Sequence, residues 1–304
     1  MSQEPGGAAD LSALALGGLG PRRTAWQNVG NFFRAKPLGA AGAVVAIILI
    51  IVAIFAPFIA TDNPRIYDAD LQYAVPGEKG TLLGADELGR DVFSRLVYGA
   101  RISLYVGLVS SFIGVTIGLL AGVASAHFGG RTDLIFQRFI DGMMAFPSLI
   151  LAIALMAALG ASLNNVVIAL SIIYIPSTVR IVRSQALAIN ELDYVLAATA
   201  VGAGHWRIMV RHIVPNCLPL YIVLVTIHLG GAIIAEASLS FLGVGSPPDV
   251  PSWGGMLRGA AQVVNVAPWQ GVFPGMAIAI VVFAWNLLGD ALRDVLDPRL
   301  RGTM

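Results

Sequence analysis

The stretch Tyr194–Asn216 reads YVLAATAVGAGHWRIMVRHIVPN and lies between two long hydrophobic runs. It forms most of an insertion, residues 185–216, that carries paired alanines, glycines and a closing proline. A helix with so little side-chain bulk fits deep into a cleft of another protein, whereas an ordinary amphipathic surface helix is the alternative interpretation. The stretch alone does not separate the two, so the rest of the chain decides which applies.

The composition is that of an integral membrane protein. The 304 residues are 57% hydrophobic and 12% charged, with a mean hydropathy of +0.78, whereas soluble domains carry about 25% charged residues. A net charge of +1 gives no reason to expect a nucleic-acid partner. The single cysteine, Cys217, excludes an internal disulfide and a cysteine-built metal site, and we expect it to be a small buried residue.

Six apolar segments are long enough to be membrane helices, which need about 20 residues. The first, Gly39–Ala60, reaches roughly 33 Å at about 1.5 Å per residue. The others are Ile102–Ala126, Leu134–Leu159, Val166–Val182, Leu218–Val244 and Val272–Leu292. The sequence therefore predicts an all-α polytopic membrane protein with six transmembrane helices.

The distribution of Lys and Arg predicts the orientation, because short cytosolic loops are enriched in these residues. With the N-terminus inside, the cytosolic segments hold 13 of the 19 Lys and Arg residues. Both termini and the stretch Tyr194–Asn216 are thus expected in the cytosol. Residues 1–27 form a Gly- and Ala-rich tail that we expect to be disordered. The apolar run after it starts too late and is too long for a cleaved signal peptide.

Two of the predicted outer segments differ from the inner ones. Thr61–Tyr98 contains seven acidic residues, and Asp91 is placed to cap a short helix, Val92–Gly99, lying at the membrane surface. Gly245–Gly271 is rich in Gly, Pro and Trp. Its Trp253 and Trp269 are expected at the membrane interface, where an amphipathic ring is favourably placed.

No catalytic or nucleotide-binding motif is present in the sequence. Neither lysine follows the glycines of a phosphate-binding loop, so the chain is not expected to bind ATP by itself. The histidines lack HExxH spacing, and no GxSxG turn occurs. His205 and His212 are seven residues apart, which superficially resembles a ligand pair, but ordinary histidines at a cytosolic helix end are the favoured interpretation. We expect no catalytic residue and no metal site.

Three carboxylates lie within the predicted spans, where an ionised group costs about 2.5–3.5 kcal/mol on insertion scales. They are Asp141, Glu236 and Asp290. A proton relay is one interpretation, and pairing with a neighbour such as Arg138 or Arg293 is the favoured one. Glu236, nearer the outer end of its span, is the best candidate for a gate or pathway residue, and Asp141 is the second.

The second span carries a face of small residues, and the third and fourth spans carry prolines. Small residues recur at three- and four-residue steps, which allows close helix approach either within the chain or against a partner subunit. They are Gly107, Ser110, Ser111, Gly114, Gly118 and Gly122. Pro147 and Pro176 should kink their helices and so favour a bundle that lines a cavity.

Within the insertion, Glu191–Gly202 is predicted to form a short helix that Gly202 ends in a left-handed conformation. A second helical piece, His205–His212, follows. Pro215 then opens the fifth span, where its missing N–H has little cost.

These residues resemble the EAA loop of ABC importer permeases, with Ala197, Ala198 and Gly202 followed by Pro215. Around the loop, the chain is similar to the second permease subunit of dipeptide and oligopeptide importers, over nearly everything after Trp26. The resemblance rests on four further segments in the expected order: LGADELGRDVFSRLVYGARISL (Leu83–Leu104), GGRTDLIFQRFIDGMMAFPSLILAI (Gly129–Ile153), EASLSFLGVGSPPDVPSWGGML (Glu236–Leu257) and NLLGDALRDVLDPRLR (Asn286–Arg301).

The resemblance implies a type I ABC importer permease fold in the inner membrane. It divides the chain into the tail 1–27, an N-terminal permease region 28–98, a five-helix core 99–293 and a cytosolic tail 294–304. The implied partners are a homologous permease in a heterodimer, two ABC ATPases that hold ATP and Mg, and an extracytoplasmic substrate-binding protein. The implied ATPase-coupling set is Ala197, Ala198, Gly202, His205, Arg211 and Pro215.

The chain departs from the EAA loop at three positions. Leu196 replaces the glutamate that gives the loop its name, Thr199 a frequent basic residue and Gly204 a common serine. These departures bear on the strength of coupling. A self-sufficient ion-coupled transporter and an intramembrane enzyme are the rival functions. Peptides are the expected cargo, with nickel complexes, glutathione or oligosaccharides as alternatives.

Overall fold

The computed structural model describes residue 34 and residues 36–296, and helices are the regular elements of this part of the chain, with a long connection of mostly turns at residues 60–91. The helices, numbered along the chain, are α1 Pro37–Ile54, α2 Ala56–Ile59, α3 Val92–Phe128, α4 Gly130–Met144, α5 Ser148–Leu159, α6 Leu163–Asn190, α7 Asp193–Ala200, α8 His205–Ile208, α9 Val214–Phe241, α10 Trp253–Gln262 and α11 Trp269–Leu296. The predicted tail 1–27 and the end of the predicted C-terminal tail lie outside the described residues.

Five helices are long and apolar enough to cross a membrane: α1, α3, α6, the continuous helix His205–Phe241, and α11. A sixth span is obtained when α4 and α5 are counted together, and these two meet at 87°. The predicted all-α architecture with six spans is confirmed on that count. Pro215 does not begin a separate helix, however, because π-helical turns over Met209–Ile213 join α8 to α9 without interruption.

Pro147 explains the bend between α4 and α5. A proline disfavours helical geometry in the residue before it, so a helix usually ends there, and here α4 ends at Met144 while Pro147 is the N-cap of α5. The predicted kink is thus close to a right angle. Pro176, by contrast, lies inside α6, which runs through it as one helix.

The prediction of a separate surface helix, Val92–Gly99, is wrong. Asp91 does cap a helix, since its Oδ2 accepts a hydrogen bond from the Ser94 amide at 2.7 Å, but that helix is α3 and continues to Phe128. Gly99 is not a helix end: a Cβ atom there would lie 2.5 Å from the Trp253 ring. This glycine therefore makes room for an aromatic contact.

Trp253 is buried inside the chain instead of presenting its ring on the surface. Its side chain is 2% exposed, and its indole Nε1 donates to the Leu96 carbonyl at 2.9 Å. Trp269 is half-buried, with its ring close to Gly84. The Trp253 indole therefore joins α10 to α3, and the predicted interface position of the two tryptophans stays a prediction.

The small-residue face of α3 packs within the chain, which answers a question that the sequence left open. A Cβ atom on Gly114 would lie 2.7 Å from the Ser171 carbonyl oxygen, and one on Gly118 would lie 2.5 Å from the Thr178 Cβ. Both contacts are with α6. The face is therefore occupied by a helix of the same chain, and not free for a partner.

Helix α3 runs the length of the bundle, so its two ends mark the two ends of the molecule. Its 37 residues span about 55 Å. Residues 61–91 and α10 contact its beginning, whereas Asn190, at the end of α6, donates to the Ala126 carbonyl near its end. The stretch Tyr194–Asn216 therefore lies at the end of the molecule opposite to residues 61–91.

Candidate functional site

Helix α7 is a short element that is attached to the bundle by one buried side chain. Val195 is 3% exposed and belongs to an apolar cluster with residues of α3, α6 and the following helix, among them Ile208 and Ile213. The predicted helix Glu191–Gly202 is thus present with slightly shorter bounds. Because apolar side chains anchor it, the segment of residues 193–211, called the projection below, is held in place at one end of the bundle.

Gly202 ends helix α7 as predicted. Its φ is +83°, and the Ala203 amide bonds to the Ala198 carbonyl at 3.0 Å. Left-handed geometry of this kind favours glycine after a helix. No atom lies within 4 Å of the position that a Cβ would take, so the backbone conformation, and not limited space, calls for glycine here.

The projection exposes three bulky apolar side chains beside charged ones, namely Asp193, Arg207 and Arg211. Leu196 is 50% exposed, Val201 85% and Trp206 74%, while Ala197 is exposed and Ala198 is half-buried. Exposed apolar side chains mark an interaction site when they form a contiguous patch. The Thr199 hydroxyl donates to the Val195 carbonyl at 2.9 Å, so its hydrogen bond is made within α7.

Two contacts close the stretch on itself and tie it to the bundle. Asn216 Nδ2 donates to the Tyr194 hydroxyl at 3.0 Å, which joins the two ends of the stretch. His205 Nδ1 lies 3.0 Å from His127 Nε2, near the end of α3. His205 thus faces its own bundle, while Arg211 and Pro215 are exposed on the neighbouring helical turns. The structure brings the six predicted coupling residues to one end of the molecule.

Asp141 forms ion pairs, in agreement with the favoured interpretation of the carboxylates. Its Oδ1 lies 2.5 Å from Arg180 Nη2, and its Oδ2 lies 3.3 Å from Arg138 Nη1. The first pair links α4 to α6. A second link between these helices was missed in the sequence: Asp133 accepts from Arg183 at 2.5 and 2.7 Å, a bidentate pair.

Asp290 does not follow the predicted pairing. It is exposed near the end of α11, and among the described residues no ion pair includes it. Asp294, one turn further on, pairs instead with Lys36 at 2.6 Å. This pair links α11 to the beginning of α1.

Glu236 is fully buried and holds a turn together. Its Oε1 accepts hydrogen bonds from the hydroxyls of Ser240 at 2.7 Å and Ser246 at 3.2 Å. Its Oε2 has no hydrogen-bond partner. The two serines flank the end of α9, so Glu236 stabilises the connection towards α10. Its position does not touch the cavity described next, and a role as a gate stays a prediction.

A cavity of about 460 Å³ opens at the break between α4 and α5. Its walls come from both of these helices, from α6 and from α9, and include Pro147 and Pro176, in line with the prediction that kinked helices line a cavity. His228 stacks on Tyr174 in the wall, with ring centroids 4.5 Å apart. This pair was not predicted from the sequence, although His228 in the middle of an apolar span could have indicated a polar group in the interior of the bundle.

For the described residues, no group of three metal-ligating side chains is present. Two features of the described residues point to a function. The cavity suits a protein that passes a solute across a membrane, and the projection with its exposed apolar side chains suits binding to a protein partner.

Comparisons with known proteins agree with this architecture. The family described as "Binding-protein-dependent transport system inner membrane component" matches residues 114–302, and the "N-terminal TM domain of oligopeptide transport permease C" matches residues 24–76. A "putative peptide transport system permease protein" of Brucella suis is 44% identical over 260 residues, covering 86% of this chain and 87% of the relative.

A second relative covers more of the chain. The "glutathione transport system permease protein GsiD" of Escherichia coli O6:K15:H31 is 41% identical over 295 residues, which is 97% of each chain. The match of the family over more than half of the chain, together with these two relatives, shows the class of protein. The chain belongs to the family of inner-membrane components of binding-protein-dependent transport systems, the multi-pass permease subunits of ABC importers.

Proposed function

We propose that the chain is one permease subunit of a peptide importer and that ATPase subunits dock on the projection Asp193–Arg211. The observation that carries the proposal is an ordered segment, anchored in the bundle by Val195, that exposes Leu196 on α7, Val201 just after it and Trp206 on α8. Apolar side chains of this size are unfavourable in water and are stabilised when a partner covers them. Ala197 adds a position without bulk at which a partner backbone can approach.

The roles of the two ends of the bundle follow from this docking. The projection lies in the cytosol, with both chain termini, and the Lys and Arg distribution supports this orientation. Residues 61–91 and α10, at the other end, face the substrate-binding protein. ATP and Mg are held by the ATPases, because the chain carries no phosphate-binding loop of its own. A homologous permease supplies the other half of the path.

Peptides are the cargo that the comparisons favour. One relative is named for peptide transport and another for glutathione, itself a small peptide. The cavity walls carry aromatic, methionine and hydroxyl side chains, which suit an uncharged side chain of a peptide. Nickel complexes and oligosaccharides are the alternatives within the same transporter class.

The test uses proteoliposomes that contain the chain, its partner permease and both ATPases, with the binding protein added on the outer side. We expect uptake of radiolabelled Ala-Ala to require ATP hydrolysis and the binding protein. Uptake by the chain alone, driven by a proton gradient and indifferent to ATP, would establish the ion-coupled alternative instead. Glutathione and a nickel chelate, measured in the same vesicles, identify the cargo class if the dipeptide is not taken up.

A further inference from the structure

The cavity at the break between α4 and α5 has the size and lining of a small-ligand site. Its volume of about 460 Å³ falls within the roughly 300–1,000 Å³ of typical ligand pockets. The apolar part of its wall contains Met143, Met144, Phe146 and Ile173. Methionine side chains are flexible and polarisable, so they adapt to ligands of different shape.

The lining carries polar groups but, among the described residues, no charged side chain. The nearest charges along α4 and α6 are Asp141 and Arg180, and these neutralise each other in the ion pair described above. A charged ligand group would therefore lose its hydration without finding a partner, which is costly. His228 and Tyr174 offer aromatic faces to an uncharged group instead.

A helix of the partner permease is a poorer fit for this cavity. Close helix contacts in membranes use small residues that let two backbones approach, and the small-residue face of α3 is already occupied by α6. The cavity rim instead carries bulky side chains, of which Phe146 is 61% exposed and Met144 41%. Such a rim holds a helix backbone away and leaves room for a single inserted side chain.

We propose that this cavity receives an uncharged side chain of the transported peptide, preferentially an aromatic one, and thereby helps to select which peptides pass. The inference rests on the proposed function. Peptides with small side chains would leave the cavity unfilled and gain nothing from it. Peptides with a charged side chain at the same position would be disfavoured by the uncharged lining.

The test narrows the cavity in a graded way. Ser148 is exposed, lines the cavity at the first turn of α5, and makes no capping hydrogen bond. Its replacements Ser148→Val and Ser148→Phe therefore add bulk without removing a contact. Ala154→Phe is the matched control, because Ala154 is exposed on the same helix and does not line the cavity.

The measurement is ATP-dependent uptake of Ala-Trp relative to Ala-Ala by the complete reconstituted transporter, with co-purification of all subunits recorded for each variant. We expect Ser148→Phe to lower this ratio by about tenfold or more, Ser148→Val by less, and Ala154→Phe not at all. If the Phe variant does not assemble with its partners, the uptake ratio of Ser148→Val alone tests whether the side chain enters the cavity.

Three outcomes would overturn the inference. An unchanged ratio in both Ser148 variants would show that the side chain does not enter the cavity. Loss of the partner permease from both variants would show that a partner helix occupies it. A wild-type transporter that takes up neither dipeptide would remove the proposed function, and with it the peptide as occupant, which is distinguishable from failure at the cavity alone.

Discussion

Gly202 offers a direct test of how the projection is positioned. A non-glycine residue in left-handed geometry costs roughly 1–2 kcal/mol, and φ here is +83°. Nothing lies within 4 Å of the added Cβ, so a larger side chain at this position does not clash with the chain itself. Gly202→Val should therefore raise the free energy of the native turn by this amount. Gly202→Asn should raise it only a little, because asparagine tolerates left-handed geometry.

The assay is the affinity of the detergent-solubilised permease pair for the ATPases. An energy of 1–2 kcal/mol corresponds to a factor of roughly 5–30 in an equilibrium. If the Val variant relieves its strain by shifting the turn between α7 and α8, docking should weaken by about that factor. Gly202→Asn should bind within about twofold of the wild type. Thermal unfolding of each variant serves as the control for global damage.

Two results would refute this reasoning. If Val and Asn both bind like the wild type, the backbone at Gly202 does not position the docking surface. If Asn weakens docking as strongly as Val, bulk colliding with the partner is the cause, and the conformational argument is wrong.

Further predictions concern packing and buried polar groups, each checked by thermal unfolding in detergent. Gly118→Leu should destabilise the protein by at least about 1–3 kcal/mol, because its Cβ would already lie 2.5 Å from Thr178; Gly142→Leu, with nothing within 4 Å, is the control. Asp133→Asn should cost about 1.5–3 kcal/mol by breaking the bidentate pair with α6. Glu236→Ala should cost about 1–3 kcal/mol, because two serine hydroxyls lose their acceptor. Glu236→Gln should keep uptake, and a folded Gln variant without uptake would contradict the structural role.

Local sequence signals predicted much of the fold. Apolar runs gave the spans, Gly202 marked a helix end and Pro147 a break, since each of these effects depends on residues close in sequence. The helix Val92–Gly99 was predicted to be separate, but it continues to Phe128, and a glycine at its predicted end does not by itself distinguish a helix end from a close contact. Only the folded chain shows that Trp253 occupies the space beside Gly99.

The cavity and the ion pairs depended on distant residues and were harder to predict. His228 and Tyr174 come together from α9 and α6, and no periodicity within either helix indicates the other. Asp141 was expected to pair with Arg138 on its own helix, but its shorter contact is with Arg180 on α6. Which carboxylate at the end of α11 forms an ion pair also depends on α1, which supplies Lys36.

Photo-crosslinking from position 201 tests most directly whether the ATPase subunits bind the projection. Val201 follows α7 and is 85% exposed, and Leu82, 56% exposed at the opposite end of the bundle, is the matched position. With a benzophenone amino acid at either site in the complete transporter, the account predicts an ATPase adduct from position 201 and none from position 82. An adduct of position 201 with the binding protein, or an ATPase adduct from position 82 alone, would contradict it.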